Sequence, residues 1–400
     1  MNSIVKRFSK IPRELVLFMI VTILMGLSTS MMDSTFNNFL DANFSLSGFQ
    51  RSFLEFPREL PGFLVVFVSA ALWFFCSRRL GGISFLLSAV GALCIGFLSK
   101  SYGLMIVWLF IYSLGQHLFI PLSNSIGMEL AREGHTGKRL GQLNALRNGA
   151  TIAGSFFIFI AFRYFNFTFK HSFLVMAVIF LIAALVMFRM QRQTVKLPKT
   201  FLKLHKEYRL YYILAVLYGS RKQLFITFAP WVLVTIFNQS TQTLATLLTI
   251  GGVIGILFQP LLGWAIDHLG ERFVLITEAL LLVLVCLGYA FGKNLFSEHI
   301  AFLIACVCFL LDQMLMSVNM ARAMYMQKIA IVSEDVQPAL TAGVTIDHIF
   351  SITIAILGGL IWNAFGYQYV FYLGMFIAVL NFLAALKIDI PNSGRPQTVK

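Results

Sequence analysis

The chain has 400 residues, of which 58% are hydrophobic and 12% are charged, and its mean hydropathy is +0.81. Water-soluble globular proteins have an apolar share of about 45–50%, so this composition excludes a soluble globule. The formal net charge of +14 does not indicate a nucleic-acid partner, because Lys and Arg lie in short gaps between apolar stretches.

Apolar runs of about 20 residues, long enough to cross a bilayer, recur along the whole chain. In the first half they lie near 14–40, 49–76, 81–99, 103–130, 139–162 and 171–190. In the second half they lie near 209–237, 241–267, 273–292, 299–327, 337–363 and 367–387. The first run is too long for a signal peptide and has no small-residue cleavage site. We therefore predict an all-α integral membrane protein with about twelve transmembrane helices.

The only long polar interruption, residues 191–208, is rich in lysine and separates two sets of spans. It predicts two six-helix bundles joined by a cytoplasmic linker. The predicted parts are residues 1–190 (amino-terminal bundle), 191–208 (linker), 209–390 (carboxy-terminal bundle) and 391–400 (cytoplasmic tail). Lys and Arg are concentrated in the gaps on the linker's side, which predicts that both termini face the cytoplasm. We expect a multi-pass protein of the inner or plasma membrane.

The two predicted halves show weak internal repetition. Gly26 in the first span matches Gly219 in the seventh, and the fifth and eleventh spans align so that Arg147 and Asp347 occupy equivalent positions. Secondary transporters commonly show such symmetry between their halves.

The stretch from Gly263 to Arg272, which reads GWAIDHLGER, follows the eighth span. It resembles the signature of the major facilitator superfamily, in which a glycine precedes an acid by four residues and a second glycine precedes basic residues. Gly263 would permit close helix contact, Asp267 would accept hydrogen bonds from a neighbouring helix amino terminus, and Gly270 would turn the chain. Together with Arg272, they predict a latch that holds one conformation.

This resemblance implies a monomeric secondary transporter that works by alternating access, with its solute site at the membrane midplane between pseudo-symmetric halves. The chain also departs from the family pattern. In the first-half copy of the signature, residues 77–82, the acid is replaced by Arg78, and Ile111 stands where the fourth span of the family carries arginine. The fifth span lacks the glycine-proline pattern of many drug antiporters, which argues against multidrug export.

Polar and ionisable residues within the predicted spans are candidates for the solute and ion pathway, because a charge at mid-bilayer costs at least about 2.5 kcal/mol. These candidates are Asp33, Gln116, His117, Arg147, Arg221, Lys222, Asp312 and Asp347. Arg221 and Lys222 are adjacent cations deep in the seventh span. They would attract an anionic solute or hold Asp33 or Asp312, and these two carboxylates are candidates for proton binding.

Three charged residues of the second span, Glu55, Arg58 and Glu59, have the spacing i, i+3 and i+4, which allows an ion pair within the helix. Pro57 and Pro61 would loosen the backbone there. The pattern fits a gate, and a structural salt bridge at the outer end of the helix fits it equally well.

The sequence contains no Walker-type loop, no Gly-x-Ser-x-Gly elbow, no His-Glu-x-x-His motif and no clustered cysteine-histidine site. We therefore expect no enzyme activity, no cofactor and no metal. The leading hypothesis is a gradient-driven transporter of a small polar solute, with anionic solutes favoured and a proton or another ion coupled. An exporter of amphipathic compounds and a transport-inactive sensor or scaffold stay open. A channel is disfavoured because no filter or ring of charges is present.

Overall fold

The computed structural model describes residues 12–71, 77–132, 136–191, 205–332 and 335–389, and every regular element in these ranges is helical. The helices of the first half are α1 (Arg13–Phe44), α2 (Gly48–Phe53), α3 (Glu55–Ala71), α4 (Ser77–Leu98), α5 (Tyr102–Glu129), α6 (Thr136–Tyr164) and α7 (Phe169–Arg189). A short 3₁₀ helix (Lys206–Tyr208) then precedes α8 (Arg209–Thr235), α9 (Thr241–Leu295), α10 (Glu298–Met316), α11 (Asn319–Ile329), α12 (Val336–Phe365) and α13 (Tyr367–Leu386). Most of the predicted linker and the predicted tail lie outside the described residues.

The distribution of apolar side chains fits lipid as the surrounding solvent. Leu257, Leu284 and Phe365 are 74%, 60% and 67% exposed, whereas charged side chains such as Arg51 lie in the interior. Large exposed apolar surfaces are unfavourable in water. Within the described ranges, nine helices are long and apolar enough to cross a membrane.

The continuous element α9 is two helical stretches joined at Gly270. At this residue, where the sequence predicts a turn, φ is 83° and ψ is 161°. Residues with a Cβ rarely adopt such a φ, and glycine adopts it freely. Gly270 therefore lets residues 241–269 and 271–295 run in different directions.

Two of the predicted spans are interrupted by short breaks. The span predicted at 49–76 divides at Leu54 into α2 and α3. Pro57 explains this break, because it has no N–H to donate to the carbonyl of Phe53, the last residue of α2. The span predicted at 299–327 divides between Met316 and Asn319 into α10 and α11.

The helices form two compact units, each with its own packing. Unit 1 comprises the described residues of 1–46, 57–197 and 238–252. Within it, α4 packs against α5 and α7, and α1 packs against α6 and α7. Residues 238–252, which the sequence assigns to the second bundle, pack in unit 1, where the Nδ2 atom of Asn38 donates to the carbonyl of Gln239 at 2.8 Å.

Unit 2 comprises the described residues of 47–56, 198–237 and 253–400. Its central helix is α8, which packs against α12 and α13. The sequence assigns the segment 47–56 to the first bundle, but it packs on α12. The two backbones approach closely because the residues on both sides of the contact are small. A Cβ on Gly48 would lie 2.3 Å from the Trp362 ring, and a Cβ on Gly359 would lie 1.7 Å from Ser52 Oγ.

Candidate functional site

A lysine-carboxylate pair joins α8 to α12 in unit 2. Lys222 Nζ donates to Asp347 Oδ2 at 2.7 Å, and the two side chains are 19% and 12% exposed. Ser351 Oγ donates to the other carboxylate oxygen of Asp347 at 3.0 Å. Asp347 is therefore held from two sides, and the partly exposed Lys222 keeps the pair accessible.

Gly219 permits this close approach of α8 and α12. A Cβ at Gly219 would lie 2.0 Å from Asp347 Oδ1 and 3.0 Å from Asp347 Cα. Ser351 Oγ also lies 3.3 Å from the carbonyl oxygen of Gly219. The glycine is thus part of the architecture that places Asp347 beside Lys222.

Gly219→Ala is expected to lower the free energy of unfolding by about 1–3 kcal/mol, because the added methyl group cannot fit without a backbone shift. Thermal melting of the purified protein in detergent measures the effect. The matched control is Gly255→Ala in α9, where a Cβ would meet nothing within 4 Å. That variant should be neutral or up to about 1 kcal/mol more stable, since alanine is the better helix former. Equal melting temperatures for the two variants would contradict the contact.

Four charged side chains form a second group in the interior of unit 2, the buried network of Arg221, Glu278, Asp312 and Arg322. Each is at most 2% exposed. Arg322 Nη2 donates to Glu278 Oε2 at 2.6 Å. Arg221 lies more loosely between the acids, with Nη1 3.5 Å from Asp312 and Nη2 3.9 Å from Glu278. Two cations face two carboxylates, so the network is neutral when all four are ionised.

These positions separate the adjacent cations that the sequence singles out together. Arg221 is buried and faces Asp312, so it is not exposed to a solute in this conformation. Lys222 is the accessible one. Successive side chains on a helix point about 100° apart, which explains why neighbours in sequence occupy different environments.

In unit 1 the candidate carboxylate Asp33 lies within electrostatic range of Arg58 and of Arg147. Asp33 and Arg147 are exposed, and Arg58 is half-buried. The polar residues of α1 around Asp33 face different environments. Ser30 and Ser34 are each 1% exposed and face the helix packing, whereas Asp33 points to accessible space.

The repeat positions Arg147 and Asp347 have similar surroundings in their respective units. A Cβ on Gly26 would lie 2.6 Å from the carbonyl oxygen of Arg147, just as Gly219 lies against Asp347. The charges are reversed. Arg147 lies near the carboxylate Asp33, whereas Asp347 is paired with the cation Lys222.

Gln116 and His117 on α5 contribute to packing within unit 1, and both are half-buried. Gln116 Nε2 donates to Ser88 Oγ on α4 at 3.0 Å. His117 Nδ1 lies 3.0 Å from both the carbonyl oxygen and the Oγ atom of Ser113. Their polar groups are thus engaged by neighbouring side chains and backbone.

The predicted gate residue Glu55 is fully buried in unit 2 and has partners that the sequence did not indicate. Arg51 Nη1 donates to Glu55 Oε1 at 2.7 Å, and Gln223 Nε2 on α8 donates to Oε2 at 2.8 Å. The Arg51 guanidinium also lies 5.9 Å from the centre of the Trp231 ring. Arg58 and the half-buried Glu59 belong to unit 1. Arg51 was missed because it lies at the start of the predicted span 49–76, where a charge is ordinarily at the membrane surface.

The residues of the latch predicted at 263–272 make few contacts with other described residues, and the latch stays a prediction. A Cβ on Gly263 would meet nothing within 4 Å, so no described atom contacts it closely. Asp267 and Arg272 are exposed and form no hydrogen bond or ion pair with another described residue. The neighbouring Glu271 is fully buried instead, with Lys328 Nζ 2.6 Å from its Oε1 atom.

Unit 1 has an ion pair that corresponds to Glu271–Lys328 of unit 2, with the positions of the acid and the base exchanged. Arg78, which replaces the family's acid at the start of α4, donates from Nη1 to Glu129 Oε2 at the end of α5 at 2.6 Å. In unit 2 the acid Glu271 begins the second stretch of α9, and the base Lys328 lies near the end of α11. Arg78 thus joins the start of α4 to the end of α5, with a positive charge at the position where unit 2 has the negative charge of Glu271.

Repeated apolar helices with charged pairs in their interior define a multi-span membrane protein. The profile of the Major Facilitator Superfamily matches residues 18–330 and 211–400, so the chain belongs to this superfamily. No curated protein matches the sequence significantly.

Solved transporter structures share the fold. The nucleoside transporter NupG is 13% identical, with 94% of this chain and 100% of that chain covered and a TM-score of 0.74. A D-xylose-proton symporter is 18% identical, with 92% of this chain and 96% of that chain covered and a TM-score of 0.66. An auto-inhibited peptide transporter of the POT family is 12% identical, with 96% of this chain and 99% of that chain covered and a TM-score of 0.75. At these identities the likeness establishes the fold alone.

Proposed function

We propose that this protein is a secondary active transporter that moves a small polar solute with an anionic group across a cell membrane by alternating access. The superfamily assignment and the transporter folds support the class. We further propose about twelve spans. Gly270 divides α9 into two spans, α8 adds a span despite its two cations, and α3 adds another to the nine candidates. Both termini would face the cytoplasm, and the protein would act as a monomer.

The observation that carries the proposal is the accessible Lys222–Asp347 pair inside the membrane-spanning helices. A charge in a span is costly unless it is paired or lines a cavity, and such residues mark transport pathways. The Lys222 ammonium is a donor for a carboxylate or phosphate group. A solute anion would take the place of Asp347 as the partner of Lys222.

We propose a proton gradient as the energy source. Two acids within spans are candidates for the coupled proton, the accessible Asp33 in unit 1 and the buried Asp312 in unit 2. The similar fold of a D-xylose-proton symporter supports this form of coupling.

Lys222→Gln is expected to weaken solute binding at least about tenfold, because the substitution removes a charge-assisted contact. The test is a thermal-shift screen of detergent-purified protein with organic anions, sugars, amino acids and amphipathic cations. An anion that stabilises the native protein should stabilise Lys222→Gln only at higher concentration. Lys293→Gln, which changes an exposed lysine near the end of α9, is the matched control and should respond like the native protein.

Two results would count against this proposal. Stabilisation only by lipophilic cations, undiminished in Lys222→Gln, would favour an exporter of amphipathic compounds. Stabilisation by an anion without any counterflow in proteoliposomes would favour a transport-inactive sensor.

A further inference from the structure

Tyr218 on α8 has three cations around its ring. The Cζ atoms of Arg322 and Arg221 lie 4.7 Å and 5.9 Å from the ring centroid, and Lys222 Nζ lies 5.9 Å from it. A cation within about 6 Å of an aromatic centroid is attracted by the ring's electrons. The Tyr218 hydroxyl donates to the carbonyl of Met316, at the end of α10, at 3.3 Å.

The three cations around the Tyr218 ring belong to two groups. Lys222 is half of the accessible pair with Asp347, whereas Arg221 and Arg322 are the cations of the buried network. Tyr218 precedes Arg221 and Lys222 by three and four residues on α8, so it shares a face with both. Its ring therefore lies where the accessible pair meets the buried network.

Three carboxylates balance these three cations within unit 2, one in the accessible pair and two in the buried network. In a low-dielectric interior, a change at one member alters the energy of the others. Other titratable groups that face this set include Tyr211, Cys286, Tyr289 and Cys308. Each of these is neutral in its ordinary state, so the six charged groups dominate the local field.

We propose that Tyr218 is a positioning residue that couples solute binding at Lys222 to the buried carboxylates. This inference rests on the proposed transport function. A solute anion that binds Lys222 draws the ammonium away from the ring. The vacated ring face then competes with Asp312 and Glu278 for Arg221, which both acids already hold at long distances of 3.5 and 3.9 Å. Loss of this cation favours protonation of the acids.

The main test compares Tyr218→Leu with Tyr218→Phe in proteoliposomes, using the anion that the thermal screen identifies. Two quantities are measured, solute exchange without an ion gradient and accumulation driven by an imposed proton gradient. In Tyr218→Leu, exchange should persist while accumulation falls at least about fivefold, the lower limit of a typical coupling between sites. Tyr218→Phe keeps the ring and should preserve both. Accumulation at the native level in Tyr218→Leu, or equal loss in both variants, would overturn the proposal.

A second test needs no solute and so separates this inference from the proposed function. Melting temperatures are measured for Lys222→Gln, Asp312→Asn and the double variant. If the ring links the two groups, the double variant should lose less stability than the sum of the single losses, with a difference of at least about 2 °C. In the Tyr218→Leu background this difference should disappear. Additive shifts in the native background would overturn the proposal even if no transported solute is found or Tyr218→Leu does not fold.

Discussion

Glu55→Gln is expected to lower the free energy of unfolding by about 3–5 kcal/mol, because it removes the negative charge of a buried ion pair and leaves the positive partner buried. Arg51 and Glu55 are 1% and 0% exposed, and their charged atoms lie 2.7 Å apart. Without the carboxylate, the buried Arg51 guanidinium loses the charge of Glu55. Thermal melting in detergent measures the loss.

Two further variants separate charge from packing at this site. Glu298→Gln removes an exposed acid in the first turn of α10 and should change stability by at most about 1 kcal/mol. The double variant Arg51→Met with Glu55→Met removes both charges and should recover most of the stability, since an apolar pair of similar volume replaces a buried ion pair at little cost. A Glu55→Gln protein as stable as the Glu298→Gln control would disprove this account of the 47–56 segment.

Glu278→Met and Arg322→Met are each expected to cost about 3–5 kcal/mol for the same physical reason. The two side chains are 1% exposed and form a hydrogen bond of 2.6 Å in the buried network. Either single change leaves the network with one unbalanced charge. Melting temperatures of the purified variants provide the measurement.

The double variant Glu278→Met with Arg322→Met should be clearly more stable than either single variant. It leaves Arg221 facing Asp312, which is a balanced pair. Arg272→Met, at an exposed arginine without an ion pair to another described residue, is the matched control and should leave stability nearly unchanged. If the double variant were as unstable as the single variants, charge balance would not be what these residues contribute.

Much of the helical layout can be read from the sequence, because the membrane requires long apolar runs whatever the tertiary contacts are. The runs at 81–99 and 103–130 correspond closely to Ser77–Leu98 and Tyr102–Glu129. The break at Leu54 was not predicted, although Pro57 was a signal for it. The break after Met316 has no proline or glycine beside it and could not be found from local composition.

The candidate site was only partly accessible to sequence reasoning. A charge within an apolar run can be recognised from the sequence alone, and Lys222, Asp312 and Asp347 are predicted on that basis. Glu278 lies in such a run and carried the same signal, yet it was not singled out. Tyr218 and Arg51 carried no such signal, because an aromatic residue within a span and a charge at the start of a span are both common in membrane proteins.

The sequence by itself determined three properties of this protein. It spans a membrane, most of its helices occupy predictable positions in the chain, and it carries a superfamily signature. Those properties depend on local composition and on short motifs. Only the tertiary structure decided which charges meet. Arg221 and Lys222 are neighbours in the chain, but the helix turns them about 100° apart. One therefore enters a buried network while the other faces accessible space beside Asp347, since pairing depends on helix rotation and on which helices pack together.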